Sequence, residues 1–204
     1  MGTPSKHERG RGRPRDEAAR LRILKAALDL MDETAFAQVT VEAIAERAGA
    51  SKTTLYRWWP NKAALAIEAF TDAVTPELPL RDTGSLLGDL TTQAQNFARV
   101  LSGRGGRMLR SFLVAARCDP EVADAFRSIW SDPRRAEAKQ MLRQKQANGQ
   151  LRKDADLDLV LDSLYGPLYY RFLVKNDLPS QKYAESLAAL VIQGLLDSSA
   201  PGAG

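Results

Sequence analysis

The sequence predicts an all-α fold of about nine helices, a short three-helix unit at its N-terminal end followed by a larger helical body. Three observations carry that reading. Apolar residues recur at three- and four-residue spacing along most of the 204-residue chain, which is the period of a helix face. No stretch alternates apolar and polar side chains as a half-buried strand does. Start and stop residues of helices stand at the ends of the periodic runs.

The elements follow in order. Residues 1–15 hold three Gly, two Pro and almost no apolar side chains, so they cannot repay the entropy of ordering and read as a disordered arm. From Asp16, the residues Ile23, Leu24, Ala27, Leu28 and Met31 mark one apolar helical face, broken at Thr34 to Gln38. Thr40 is an N-cap for a short helix to Ala48. Gly49 follows, then Ser51 as a second N-cap for Lys52 to Trp59. Pro60 ends that helix, because the residue before a proline is pushed out of the α region. Asn61 caps a helix to about Ala73, and Thr75 to Thr83 reads as a connection. Further helices are expected at about 85–102, 106–118, 120–148, 157–175 and 181–197. Asp119-Pro120-Glu121, Asp156 and Ser180 start helices; Gly103, Gly149 and Asn176 stop them. Pro133 is expected to kink the 120–148 helix, or to split it with Asp132 as a new cap. The division that results is an arm, 1–15, a head, 16–62, and a body, 63–204.

Composition and charge narrow the function. The 44% hydrophobic and 26% charged fractions are those of an ordinary soluble protein. The first fifteen residues lack the apolar stretch of a secretory signal, and Leu187 to Leu196, the longest apolar run, is half a membrane span. A lone cysteine, Cys118, fits a reducing cytosol, so a cytoplasmic location away from membranes is expected. Lys6, Arg9, Arg11, Arg13 and Arg15 face only Glu8, and this surplus of four equals the net charge of the whole chain. Head and body are each balanced. A basic arm on a neutral body points to a polyanion, with a solubilising leader as the competing reading.

The head carries the motif. Two short helices joined by a tight turn need a small residue where they touch, a residue tolerant of positive φ in the turn, and apolar groups facing a shared core. Ala45, Gly49 and the set Ile44, Ala48, Ala50, Leu55 and Trp58 stand at the positions a helix-turn-helix imposes. The outward residues left over, Lys52, Thr53, Thr54, Tyr56 and Arg57, include no acid, so that face can enter a major groove without repelling phosphate. Lys52, Thr53 and Thr54 lie at the helix start, nearest base edges, and the cap Ser51 beside them is also expected among the DNA-binding residues. Tyr56 and Arg57 lie further along and are expected on phosphates. Thr40 and Lys62 stand at helix N-termini, where free N–H groups favour a phosphate.

The run from Thr40 to Leu65, TVEAIAERAGASKTTLYRWWPNKAAL, with the helix before it and Phe36, resembles the DNA-binding signature of the tetracycline-repressor (TetR/AcrR) family over about residues 16–70. It departs at Trp58-Trp59, where that family more often has histidine or tyrosine followed by phenylalanine. The resemblance implies a homodimer on a palindromic duplex, one recognition helix per half, and a C-terminal domain for dimerisation and a small effector. Two apolar stripes agree with dimerisation. One is Leu157, Val160, Leu161, Leu164, Leu168 and Phe172; the other is Leu187, Leu190, Val191, Gly194 and Leu195. The same residues also read as intrachain core. For an effector pocket the aromatic residues Phe70, Phe112, Phe126, Trp130, Tyr165 and Tyr169 are candidates, with Arg117 as an anion anchor; each also reads as plain core. Arg11-Gly12-Arg13-Pro14-Arg15 is similar to the core of an AT-hook, which lays arginines in a narrow A·T-rich minor groove. General attraction to phosphate is the alternative.

Catalysis and metal binding find no support. His7, the single histidine, lies in the arm and offers no base for a nucleophile. One His and one Cys cannot build a zinc shell. Asp154, Asp156, Asp158 and Asp162 lack the glycine of a calcium loop and suit a helix start. Gly103-Arg104-Gly105-Gly106-Arg107 lacks the ending of a phosphate loop and reads as a turn. Cys118 is expected as a small buried side chain. The sequence therefore predicts no enzyme, no cofactor and no metal, but a DNA-binding transcriptional regulator. A ligand-responsive repressor leads, and an activator or architectural DNA binder relying on the arm is the alternative.

Overall fold

The computed structural model describes residues 13–196, with Arg13–Asp16 and Leu196 described by their backbone course alone. Among the described residues there is no strand. The head is α1 (Arg13–Glu33), a 3-10 turn (Phe36–Gln38), α2 (Val41–Ala48) and α3 (Lys52–Trp58). It leads into α4 (Lys62–Val74). The body adds α5 (Leu86–Ser102), α6 (Arg104–Ala115), α7 (Pro120–Ala125), α8 (Asp132–Ala147), α9 (Leu157–Tyr170) and α10 (Gln181–Leu196). The arm residue Arg11 lies outside the described residues, as do the side chains of Arg13 and Arg15. The backbone of α1 begins at Arg13, not Asp16, because Pro14 falls in the first turn, where its missing N–H has no helical partner to lose.

The expected caps form. Thr40 accepts from Ala43 N–H, Ser51 from Thr54 N–H, and Asn61 from Ala64 N–H. Asp119 and Asp156 cap α7 and α9, and the Ser180 hydroxyl accepts from Tyr183 N–H. Each such bond satisfies a donor the helix leaves open, at about 1 kcal/mol. Asn176 and Gly149 stop their helices at φ of 50° and 78°.

Pro133 does not split the helix at Asp132. A π-helical turn, Phe126–Ser131, joins α7 to α8 in one rod, so that the described residues form nine helical rods, and Asp132 makes no capping bond. The wider turn loosens the register just before the proline, whose ring would otherwise press on the carbonyl four residues back. A second π-helical turn, Arg171–Lys175, extends α9 beyond Pro167.

The expected turn at 103–107 is shorter than the sequence suggested. Only Gly103 separates α5 from α6, and Gly105 and Gly106 are buried in the first turn of α6. A Cβ on Gly106 would sit 2.0 Å from the Leu101 carbonyl oxygen, so close packing of the two helices outweighs glycine's poor helix propensity. Cys118 is exposed, not buried, in the turn after α6.

Head and body share one core. The buried residues of α4, Ala63 to Ile67 with Ala69 and Phe70, belong to both. Phe36 N–H donates to the Ser111 hydroxyl at 2.9 Å. Arg104 and Arg107 of α6 reach Asp32 of α1 at 3.3 and 2.9 Å. Behind them, the fully buried Lys145 lies 2.7 Å from both Asp82 and Asp89 and ties the loop before α5 to α8.

Candidate nucleic-acid interface

The helix-turn-helix is built as its residue types require. Gly49 has φ 60° and ψ 41°, a left-handed conformation that costs a side-chain-bearing residue about 1–2 kcal/mol. Ile44, Ala45, Ala48 and Leu55 are buried between α1, α2 and α3. Trp58 packs only partly; Trp59 is the aromatic residue that is buried. The reason is Pro60, which turns Trp59 to extended backbone (φ −127°, ψ 130°) and swings its ring inward. There its Nε1 donates to Glu68 at 2.8 Å, and Glu68 also pairs with Arg20 of α1. This latch fixes α3 against α1 and α4.

The opposite side of α3 is open. Ser51, Lys52, Thr53, Tyr56 and Arg57 are exposed and Thr54 half-buried. Tyr56 is 54% exposed, uncommon for a ring of that size. The Ser51 and Thr54 hydroxyls lie 2.9 Å apart at the helix start. Lys52 pairs with Glu42 of α2 at 2.5 Å. That pair lowers the Glu42 carboxyl and raises the Lys52 ammonium from their usual ranges. Both groups are solvated, so a phosphate can replace the carboxylate at little cost. Thr40 is exposed beside them at the start of α2.

Lys62 departs from the expectation. Its ammonium donates to the carbonyls of Phe36 (3.2 Å) and Val39 (2.8 Å) and lies 4.4 Å from the centre of the Phe36 ring. Burial pushes its pKa down. The charge expected on a phosphate is turned inward, where it clamps the turn after α1 to the start of α4.

From that clamp a chain of rings crosses the molecule. Phe36 meets Phe112 at 5.2 Å, Phe112 meets Phe70 at 5.5 Å, and Phe70 meets Trp130 at 4.8 Å between ring centres. Trp130 forms part of the wall of a recess of about 150 Å³. The other walls include Gln93, Phe97, Arg134, Tyr165 and Tyr169. Of the expected pocket residues, Trp130, Tyr165 and Tyr169 line it. Phe70 and Phe112 are buried in the core, Phe126 packs against that core, and Arg117 is exposed outside. Burial raises the Tyr165 and Tyr169 phenols above their usual range, so both stay protonated.

The α9 stripe expected at a dimer interface is turned into the chain's own core. Leu161, Leu164, Leu168 and Phe172 are core. The outward face of the α9 rod carries Leu159, Tyr170, Leu173 and Val174 instead, and α10 adds Leu190, 68% exposed, beside exposed Gly194. Leu187, Leu190, Val191, Gly194 and Leu195 line a groove between the two helices, together with the charged Arg152, Asp154 and Asp156.

Two family descriptions match the chain: "Bacterial regulatory proteins, tetR family" over residues 23–69 and "Tetracyclin repressor-like, C-terminal domain" over residues 80–191. The chain belongs to the tetR family. It is a DNA-binding transcriptional regulator of the helix-turn-helix type. It is similar to the uncharacterized HTH-type transcriptional regulator YdeS of Bacillus subtilis (strain 168), at 40% identity over 93% of this chain and 96% of that protein. It is also similar to the DNA-binding transcriptional repressor TetR of Mycobacteroides abscessus, at 27% identity over 80% of this chain and 87% of that protein. Among solved structures, the TetR family transcription regulator SCO0332 superposes with a TM-score of 0.77 at 36% identity, over 86% of this chain and 97% of that one.

The acids of 154–162 are engaged: Asp154 with Arg152, Asp156 as a cap, Asp158 with Arg135 and Lys139, and Asp162 with Arg135. Among the described residues no group of His, Cys, Asp and Glu is placed to hold a metal, and no helix is long and apolar enough to cross a membrane. Sequence reasoning missed the Arg20–Glu68–Trp59 latch and Arg134. The Trp59-Pro60 pair was a signal for the first, and the four-residue spacing of Trp130 and Arg134 for the second.

Proposed function

We propose that this regulator is a cytoplasmic repressor that binds a palindromic duplex as a homodimer and leaves it when a small effector fills the recess beside Trp130. The carrying observation is the outer face of α3, exposed and free of acids, held on a left-handed Gly49 turn between two capped helices. Ser51, Lys52, Thr53 and Thr54 would address base edges. Thr40, Tyr56 and Arg57 would hold phosphates, and Arg11, Arg13 and Arg15 of the arm would reach an adjacent minor groove. The division into arm (1–15), head (16–62) and body (63–204) serves this reading, with α4 working on both sides of its last boundary. Dimerisation would use the outward apolar face of α9 and α10, setting two α3 helices about 34 Å apart, one turn of duplex. An effector pressing on Trp130 acts on Phe70, hence on α4 and on the Lys62 clamp, and DNA must then weaken effector binding by the same factor.

The basic arm favours a second reading, an activator or architectural binder with shallow sequence preference. Selection from random duplex DNA by the full chain, followed by affinity measurements at several salt concentrations, separates the two. A palindromic consensus with strong discrimination is expected. A vague A·T-rich enrichment with steep salt loss would overturn the first reading.

A further inference from the structure

The recess beside Trp130 holds two guanidinium groups, and the fold treats them differently. Arg135 donates Nε to Asp158 at 2.8 Å and brings Nη1 to 2.8 Å from Asp162, so its charge is met. Arg134 has no carboxylate partner among the described residues. One of its Nη2 hydrogens goes to the Leu78 carbonyl at 2.9 Å, and its guanidinium carbon lies 5.5 Å from the centre of the Trp130 ring. Among the described residues no Asp or Glu lines the recess. One half-buried positive charge is left uncompensated at the edge of an aromatic chamber, with N–H groups to spare.

The chamber's shape is as specific as its charge. Phe97 stands at 90° to Tyr165 and at 60° to Tyr169, with ring centres 5.3 and 5.1 Å apart, and all three rings line the recess with Trp130, an aromatic wall suited to a flat occupant. The volume, about 150 Å³, is that of a cavity that takes one benzene ring. A phosphate ester would bring close to two charges to a site with one open cation. A cationic ligand would meet Arg134 directly.

Resting on the effector-responsive reading above, we propose that this recess binds a monocyclic aryl carboxylate, the carboxylate on Arg134 and the ring against Trp130 and Phe97. The planar guanidinium suits a two-point contact with a carboxylate. The stacked ring then presses on the indole that meets Phe70.

Calorimetric titration of the full chain with benzoate, benzamide and cyclohexanecarboxylate tests this. Benzoate is expected to bind, with the other two each weaker by about tenfold or more, since one lacks the charge and the other the flat ring. Arg134→Gln should lose about tenfold or more of the benzoate affinity, and Arg134→Lys should recover part of it. Thermal melts of the ligand-free variants report whether each is folded. Equal affinity for benzamide, an unchanged Arg134→Gln, or no benzoate binding at millimolar concentration would overturn the proposal. Operator affinity measured on the same samples separates the two layers. Tight DNA binding without benzoate binding sinks the ligand class alone. Benzoate binding through Arg134 with unchanged DNA affinity upholds the site and sinks the effector reading.

Discussion

Replacing Lys62 by Met separates two roles for one cation. The ammonium makes hydrogen bonds of 3.2 and 2.8 Å to the Phe36 and Val39 carbonyls and sits 4.4 Å from the Phe36 ring. A hydrogen bond to a charged group contributes about 1.5–3 kcal/mol, and a partly desolvated cation over a ring about 0.5–2 kcal/mol. Desolvation of the ammonium, visible in its lowered pKa, offsets part of this, and the methionine stem keeps the apolar packing. A net loss of about 1–3 kcal/mol follows, equivalent to a fall of about 0.5–1.5 M in a urea midpoint for a slope near 2 kcal/mol/M. The second measurement is the salt dependence of operator binding. For every phosphate that the protein no longer neutralises, the slope of log affinity on log salt becomes shallower by about 0.9. If Lys62 held phosphate, the dimer's slope would become shallower by about two units. The clamp predicts an unchanged slope with lowered stability; a shallower slope with unchanged stability would refute it.

Three further predictions follow from the same geometry. Gly49→Ala should cost about 1–2 kcal/mol, because a Cβ there meets nothing within 4 Å and only left-handed strain is added; Gly106→Ala, driven onto the Leu101 carbonyl, should cost about 3 kcal/mol or more, and equal losses in urea unfolding would contradict the account. Leu190→Asp should give a folded monomer by analytical ultracentrifugation, whereas Leu164→Asp, with no exposed surface, should not fold; a dimer untouched by Leu190→Asp would place the interface elsewhere. Lys139, with Arg135, holds Asp158 below the usual carboxylate range, and Lys145 does the same for Asp82. A depressed pKa gives stability that is present above the unfolded value, about 4, and lost as pH falls through the folded one. Unfolding midpoints should therefore drop on the acid side, and Asp158→Asn should flatten part of that drop; superimposable acid limbs would refute the assignment.

The head was legible because its signals are local. Thr40, Ser51 and Asn61 cap helices through bonds to N–H groups three residues on, and Gly49 sits where the chain needs positive φ. The body was legible as helices but not as surfaces. The α9 rod is apolar on both sides, with Leu161, Leu164 and Leu168 on one and Leu159, Tyr170 and Val174 on the other. Periodicity alone cannot say which side meets the core. Phe112 and Tyr165 are alike as residue types, yet one is sealed in the core and the other lines a recess, a difference set by neighbours distant in sequence. Lys62 stands at a helix start in the sequence, but the carbonyls that capture it arrive from the turn after α1. Gly105 and Gly106 looked like a turn because the approach of α5 that requires them is a tertiary fact.

The central claim is that the outer face of α3 reads bases. Its most direct test is the ratio of affinities for a selected operator and a scrambled duplex, measured for the wild type and for a Lys52→Ala, Thr53→Ala double variant at one salt concentration. The account predicts a wild-type ratio of about a thousand or more that falls by about tenfold or more in the variant, while its thermal midpoint stays near that of the wild type. An unchanged ratio in a folded variant would contradict it.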